Sequence, residues 1–467
     1  MLQGDFPMDK ARVIATLMLL ANLATADAND GPLDIGFGFL GQVELTPAGM
    51  AADSLGTLRM RVDGQHRIVG CIRTVNPSNV TIPWLFRLTA GGGSDLTFAG
   101  TGSKFVSIPG GATGLACDGL NVASDGRIVL ASYDGSNQYI MRFKDDGSPD
   151  TTFNSTGTLT IARTGNSNDF TNDLVIGSDN SIYIAYERAT ANGGRFLVRH
   201  ILSTGTIDSG FGPGGGGATL FDGFSIRTGV SARDDVPNRI LLGSGGEIVL
   251  TGYTKPTLTG NSDFAAARLS SAGLPDSGFG TSGAVIVSFD LGQSNADLCT
   301  ASVLDSQNRL VMAGYAERAT VGDVDFAVVR LSPTGSPDSA FSGDGKVMVP
   351  FDLGGSGEDV ATAVTLQTDG RILVGGYAKH LTGSSGYDWA VARLLDGGGL
   401  DSSFGAAANG KQTYSVNLGG NNNDFMYQLV ANGGDFILGG ESNGATSESA
   451  ILARIRTDLI FADTFGN

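Results

Sequence analysis

The chain has 467 residues, enough for two or three ordinary domains or one large repeat assembly. Its net charge of −17, with no basic stripe, argues against nucleic acid and anionic membranes as partners. Glycine accounts for 71 residues, about twice the usual share of roughly 7%, and charged residues for only 16%, which points to many short strands joined by turns.

The N-terminus has the layout of a secretory signal. Met8–Arg12 is a short basic start, Val13–Leu23 a mostly apolar run, and Ala24-Thr25-Ala26 a small-x-small cleavage site, with Ala26-Asp27-Ala28 as a second option. Residues 1–7 are expected to precede the start codon and 1–26 to be removed. The run is too short for a mature membrane helix, and no other segment could span a bilayer. Residues 27–467 are therefore expected to form one domain, secreted or in the cell envelope, without membrane insertion. Cys71, Cys117 and Cys299 sit in apolar strand-like runs, so buried free thiols are the first expectation. One pair could form, leaving one cysteine over.

From there the chain repeats itself. A turn residue, Gly64, Gly126, Asn180, Gly246, Asn308, Gly370 or Gly434, precedes an apolar run such as Ile248-Val249-Leu250 or Ile372-Leu373-Val374. The period is near sixty residues. A second apolar run in each unit carries an arginine: Arg87, Arg142, Arg199, Arg268, Arg330, Arg393 and Arg454. Eight or nine residues after the first six comes an aspartate, and three further on a phenylalanine. These are Asp95/Phe98, Asp150/Phe153, Asp208/Phe211, Asp276/Phe279, Asp338/Phe341 and Asp401/Phe404. The seventh such pair, Asp34/Phe37, stands at the opposite end of the chain, beside a spare strand at Gly41–Leu45.

Each unit holds four strand-sized segments. Seven such units suit a ring better than a solenoid. The expected fold is all-β, a seven-bladed β-propeller of four-stranded blades, closed by the N-terminal strand completing the last blade, which removes two sheet edges. Asp369-Gly370-Arg371-Ile372-Leu373-Val374-Gly375-Gly376, Val391-Ala392-Arg393-Leu394 and Leu400-Asp401-Ser402-Ser403-Phe404-Gly405 resemble the delta-60 repeat, a bacterial β-propeller family of unknown function. The resemblance spans about residues 30–455 and implies a fold and an extracytoplasmic setting, but no catalytic residues. The tail Ile460–Phe465 is similar to short tails on some secreted bacterial proteins.

Each Arg and the Asp after it are expected to meet as a charge-assisted structural pair, with the Phe packed between blades. A second series stands eleven residues before each turn residue: Asp53, Leu115, Asp169, Asp235, Asp297, Asp359, and Asn423 beside Asp424. These positions precede the innermost strand, so they would form a carboxylate ring at one channel mouth. Such oxygens could hold a hard cation such as calcium, or simply bond turn N–H groups. The connections on the same face vary most between units, for example Thr254–Asp263, Ala378–Asp388 and Phe221–Asp235. Tyr133, Tyr253, Tyr315 and Tyr377 recur seven residues after the turn near that face, with Tyr186 one place off, and could stack on sugars or cap strand ends.

No metal-ligand spacing joins His66, His200 and His380, and no nucleophile elbow is present. The expected function is a non-enzymatic, monomeric module binding a protein or polysaccharide through its variable-loop face. The alternative is a propeller hydrolase or lyase using the channel-mouth carboxylates as acid and base.

Overall fold

The computed structural model describes residues 33–456 apart from 46, 48–50, 53–57, 109–110, 112–113, 163–167, 191–192, 225–233, 256–259, 292–295, 319, 321, 355–356, 381–385, 417–422 and 444–447. The signal-like segment and the Ile460–Phe465 tail lie outside the described residues.

The seven repeats fold as seven antiparallel sheets, and almost no helix is present among the described residues. Blade 5 shows the pattern. Asp297–Leu304 is innermost, followed outward by Leu310–Glu317, Val324–Leu331 and Lys346–Val349. The innermost strands of successive blades touch in cyclic order, with Asp424–Asn432 of blade 7 meeting Arg59–Val62 of blade 1. The outer strand of the last sheet is Gln42–Leu45, paired antiparallel to Glu448–Arg456 from Gln42↔Ala453 to Leu45↔Ala450. Blade 1 is irregular: Ala51–Ala52 and Arg59–Val62 both pair with its second strand, Ile68–Val75.

The turn after each innermost strand explains the Gly/Asn preference. Gly126, Gly246 and Gly370 have φ of +84°, +84° and +87°, and Asn180 and Asn308 +64° and +59°, in the left-handed region that glycine and asparagine tolerate best. In blade 1 that place is taken by His66, at φ +60°, whose N–H donates to Asp63 O as Gly126 N–H does to Ala123 O. The frame read from Gly64 is therefore two residues out of step in blade 1.

The core is divided among the blade junctions. Each of seven apolar clusters draws on two neighbouring sheets, such as Val311, Val328 and Phe341 with Ala361, Ile372 and Val374. Burying one such large side chain stabilises by about 1.5–3 kcal/mol, so the ring holds together through blade-to-blade contact.

The Arg–Asp motif adds a polar staple at these junctions. Nε donates to the Asp Oδ2 at 2.7 Å in Arg87–Asp95, Arg142–Asp150, Arg268–Asp276 and Arg330–Asp338. Arg393 and Asp401 form an ion pair at 2.8 Å, and Arg454 pairs with Asp34 from the start of the chain. Each guanidinium lies over the motif phenylalanine, as Arg330 does over Phe341 at 4.8 Å. A second nitrogen reaches the next blade: Arg142 Nη1 donates to Ser203 O at 2.7 Å and Arg330 Nη1 to Asp396 O at 2.5 Å.

Blade 3 departs from the expected pairing. His200, not Arg199, meets Asp208, with Nδ1 2.9 Å from Oδ2. The reason is register. The strand positions opposite Val249, Val311 and Leu373 hold Arg268, Arg330 and Arg393, and the matching position opposite Tyr183 holds His200. The imidazole stacks on Tyr183 at 4.2 Å, which fills the space a guanidinium takes elsewhere.

The thiols also differ from the first expectation. Cys71 and Cys117 form a disulfide that ties the second strand of blade 1 to the segment entering blade 2, while Cys299 is buried and free.

Candidate functional site at the channel mouth

The innermost strands carry a feature that the sequence reading missed. In blades 3 to 7 each has a β-bulge at the same height, between Thr171/Asp173, Pro237/Arg239, Cys299/Ala301, Ala361/Ala363 and Met426/Gln428. The extra residues are Asn172, Asn238, Thr300, Thr362 and Tyr427, and all five line one central cavity of about 390 Å³. A bulge re-aims a side chain and bends its strand. Here it also links blades. Asn238 Nδ2 donates to Cys299 O at 2.7 Å, Thr300 Oγ1 to Ala361 O at 2.7 Å and Thr362 Oγ1 to Met426 O at 2.6 Å.

The Gly-Gly of the repeat belongs to this device. A Cβ on Gly376 would stand 1.9 Å from Val360 O, and one on Gly314 would stand 1.8 Å from Leu298 O. The bulged strand presses its carbonyl against the second strand there, so only glycine fits. A polar residue inside an apolar run, eight residues before the turn, is the sequence signal for the bulge in blades 3 to 6.

Above this collar stand the tyrosines, at the end of each second strand on the variable-loop face. Tyr253, Tyr315 and Tyr377 pair across the sheet with Val236, Leu298 and Val360 of the innermost strands. All three are half-buried. Burial raises their phenol pKa values, that of Tyr253 to about 12, and each is raised further by acidic neighbours, with Tyr315 acting on both Tyr253 and Tyr377. Held at the same position of three successive blades, 4 to 6, the three tyrosines trace an arc. None of their hydroxyls has a hydrogen-bond partner among the described residues. Tyr133 differs, since its hydroxyl donates to Gly135 O at 2.8 Å and its ring meets Phe170 edge-on at 6.0 Å. Tyr186 is fully buried. Glu187, Glu441 and Arg73 hold the tyrosine position in blades 3, 7 and 1. Beside the arc, Tyr377, Tyr387 and Phe425 cluster with centroids 4.9–5.4 Å apart.

The predicted carboxylates take another position. Asp53 and the side chain of Asp169 lie outside the described residues. Asp235, Asp297, Asp359 and Asp424 are 0–1% exposed, and none lines the cavity. They sit where the chain crosses between blades. Oδ2 of Asp297 accepts from Phe289 N–H at 2.6 Å, that of Asp359 from Phe351 at 2.7 Å and that of Asp424 from Val416 at 2.7 Å. Asp235 instead accepts from the Thr254 hydroxyl at 2.6 Å. Burial raises Asp297 and Asp424 to about 7 and Asp359 to about 6, with Asp263, Asp388 and Asp325 of the preceding blades adding to the effect. Among the described residues no group of three or more His, Cys, Asp or Glu is placed to hold a metal ion.

With this geometry in view, the family described as "Domain of unknown function (DUF5122) beta-propeller" matches residues 123–153, 308–341 and 367–404. The matched stretches, which lie in three of the seven repeats, are similar to a β-propeller family of unknown function. No curated protein matches. Among solved structures, a protein of unknown function from Dyadobacter fermentans is 12% identical, with 90% of this chain and 100% of that one covered and a TM-score of 0.41. The β-propeller domain of the Trilobed protease from Pyrococcus furiosus is 8% identical, covering 86% and 96%, with a TM-score of 0.42. A gluconolactonase from Xanthomonas campestris is 12% identical, covering 88% and 100%, with a TM-score of 0.34.

Proposed function

We propose that this chain is an extracytoplasmic propeller of the delta-60 repeat type that binds a polysaccharide at its variable-loop face, without chemistry of its own. The observation that carries this reading is the arc of Tyr253, Tyr315 and Tyr377: three half-buried rings with unengaged hydroxyls at the mouth of a polar channel. An aromatic face packs on a sugar ring while its hydroxyl bonds the sugar's own hydroxyls. A rigid ring carrying variable loops is a suitable platform for such recognition. The Cys71–Cys117 disulfide supports an oxidising compartment. The hydrolase reading draws less support, because four of the carboxylates it needs, Asp235, Asp297, Asp359 and Asp424, are buried between blades.

A polysaccharide pull-down tests the reading. The wild type should be retained by at least one plant or bacterial cell-wall polysaccharide. Each Tyr→Phe change should cost up to about tenfold in affinity, the value of one good hydrogen bond. The triple Tyr→Ala variant should lose retention while its melting curve stays cooperative. Undiminished retention by that triple variant would remove the arc from the binding site.

A further inference from the structure

The cavity beneath the arc is lined by two arginines, Arg59 of blade 1 and Arg239 of blade 4, against one carboxylate, Glu187 of blade 3, an excess of positive charge in a chain that is acidic as a whole. The two arginines hold the same register position, Arg59 opposite Cys71 and Arg239 opposite Thr251. Three other blades put Gly119, Ala301 and Ala363 at this height, which leaves the space the two long side chains enter. Arg61 lies close by, but it is committed: its Nη2 pairs with Asp173 Oδ1 at 3.3 Å. The other Asp173 oxygen accepts from Ile240 N–H at 3.3 Å. Arg59 Nε donates to Asp118 O at 3.3 Å. The Arg239 side chain makes no hydrogen bond or ion pair among the described residues.

The charges of Arg59, Arg61 and Arg239 oppose one another. Burial first, and then the Arg239 charge, bring the Arg59 guanidinium down to about 10. Asp173 and Asp118 answer only part of this charge, and Asp118 is itself raised to about 6 by burial. A chain of net charge −17 thus concentrates cations in its channel and leaves one of them without a partner. An unpaired guanidinium in an open polar cavity matches a carboxylate in shape and charge. The bulge collar supplies neutral hydrogen-bonding groups around the same space.

We propose that the channel takes the carboxylate of an acidic sugar, with Arg239 as its principal contact, so that the ligand is a uronate-bearing polysaccharide lying across the tyrosine arc. This rests on the reading of the arc as a saccharide site. The carboxylate enters between Arg59 and Arg239, and the sugar ring remains at the mouth.

The test compares pectate and alginate with their carboxyl-reduced, neutral counterparts, using the full chain and Arg239→Gln. The wild type should bind at least one acidic polymer more tightly than its neutral form by about 10–100-fold, the value of a charge-assisted hydrogen bond. Arg239→Gln should abolish that difference. Its melting temperature should hold or rise, because it removes repulsion and no contact. Equal binding of acidic and neutral forms, or an acid preference that survives in Arg239→Gln, overturns the carboxylate site and leaves the tyrosine reading standing. Binding of neither form overturns both.

Discussion

At the scale of single residues, the arginine motif is a wall tie. Arg330 is 1% exposed, paired to Asp338, seated on Phe341 and hydrogen-bonded to the next blade. Removing only the Asp338 carboxylate leaves the buried guanidinium with Asp396 Oδ1, at 2.8 Å, as its remaining ion-pair partner. Asp338→Ala should cost about 1–3 kcal/mol, whereas Arg330→Met, which removes the charge and keeps the contact with Phe341, should cost less. Urea unfolding of the two variants gives the comparison. If both lose the same amount, the pair's energy lies in packing. The blade 3 exception shows what was readable here. The interval from the pairing residue to its aspartate is eight wherever the structure shows a pair on one unit, as in Arg87–Asp95, Arg142–Asp150 and His200–Asp208. A strict interval would have selected His200 from the sequence. Arg199 shares the chemistry of the other staple residues but stands one place out of their register, opposite Ile184.

At the scale of elements, the strands and turns were readable because φ and burial restrict composition: glycine or asparagine at the turn, then aliphatic residues in strands buried on both faces. The bulge was not, because a single polar residue in an apolar strand has no period to reveal it. It appears only when units are aligned on their turns, and the His66 turn in blade 1 disturbs that alignment. Counted from the His66 turn, the residue eleven places back is Leu55 rather than Asp53, and both lie outside the described residues. The carboxylates themselves were found, but their direction could not be, since strand position alone does not separate channel from junction. The bulge has a measurable role. Thr362→Val keeps shape and removes the hydroxyl that donates to Met426 O. It should cost about 1–3 kcal/mol by stranding a buried carbonyl. Hydrogen exchange should rise most in Asp424–Asn432, the strand across that junction. Faster exchange spread evenly over all blades would show instead that the bulge acts on the ring as a whole.

At the scale of the whole molecule, stability depends on junctions rather than on any one blade, and two of their chemistries can be varied independently. The first is covalent. The Cys71–Cys117 bond closes a loop with a sequence separation of 46 across the first junction. The Cys71→Ala/Cys117→Ala variant should be less stable by about 2–4 kcal/mol, and a reductant should lower the wild-type melting temperature without affecting the variant. The second is protonation. Asp297, Asp359 and Asp424 are held above the ordinary carboxylate range by burial. They face Asp263 and Asp290, Asp325 and Asp352, and Asp388 respectively, with Arg318 paired to Asp325. A group whose folded pKa is raised contributes stability that is complete below its unfolded value, about 4, and lost as pH climbs through the folded value. These junctions should therefore weaken between about pH 4 and 7. The staple carboxylates act in the opposite sense. Burial pushes Asp95 and Asp150 up, but hydrogen bonds from Thr97 and Thr152 and the adjacent arginines bring both below the usual range. Their contribution is present above about pH 4 and lost below it. The melting temperature should peak near pH 5, falling toward acid through the staples and toward pH 8 through the junctions. Replacing Asp297, Asp359 and Asp424 together by Asn keeps an oxygen for each backbone N–H and removes the titration. That variant should lose most of the decline between pH 5 and 8 while keeping the acid limb of the wild type, with Asp118 and Asp263, both raised to about 6 by burial, supplying what remains. A wild type whose stability rises steadily from pH 5 to 8 would mean that the junction acids are ionised and stabilised in the fold, and would return them to consideration as cation ligands.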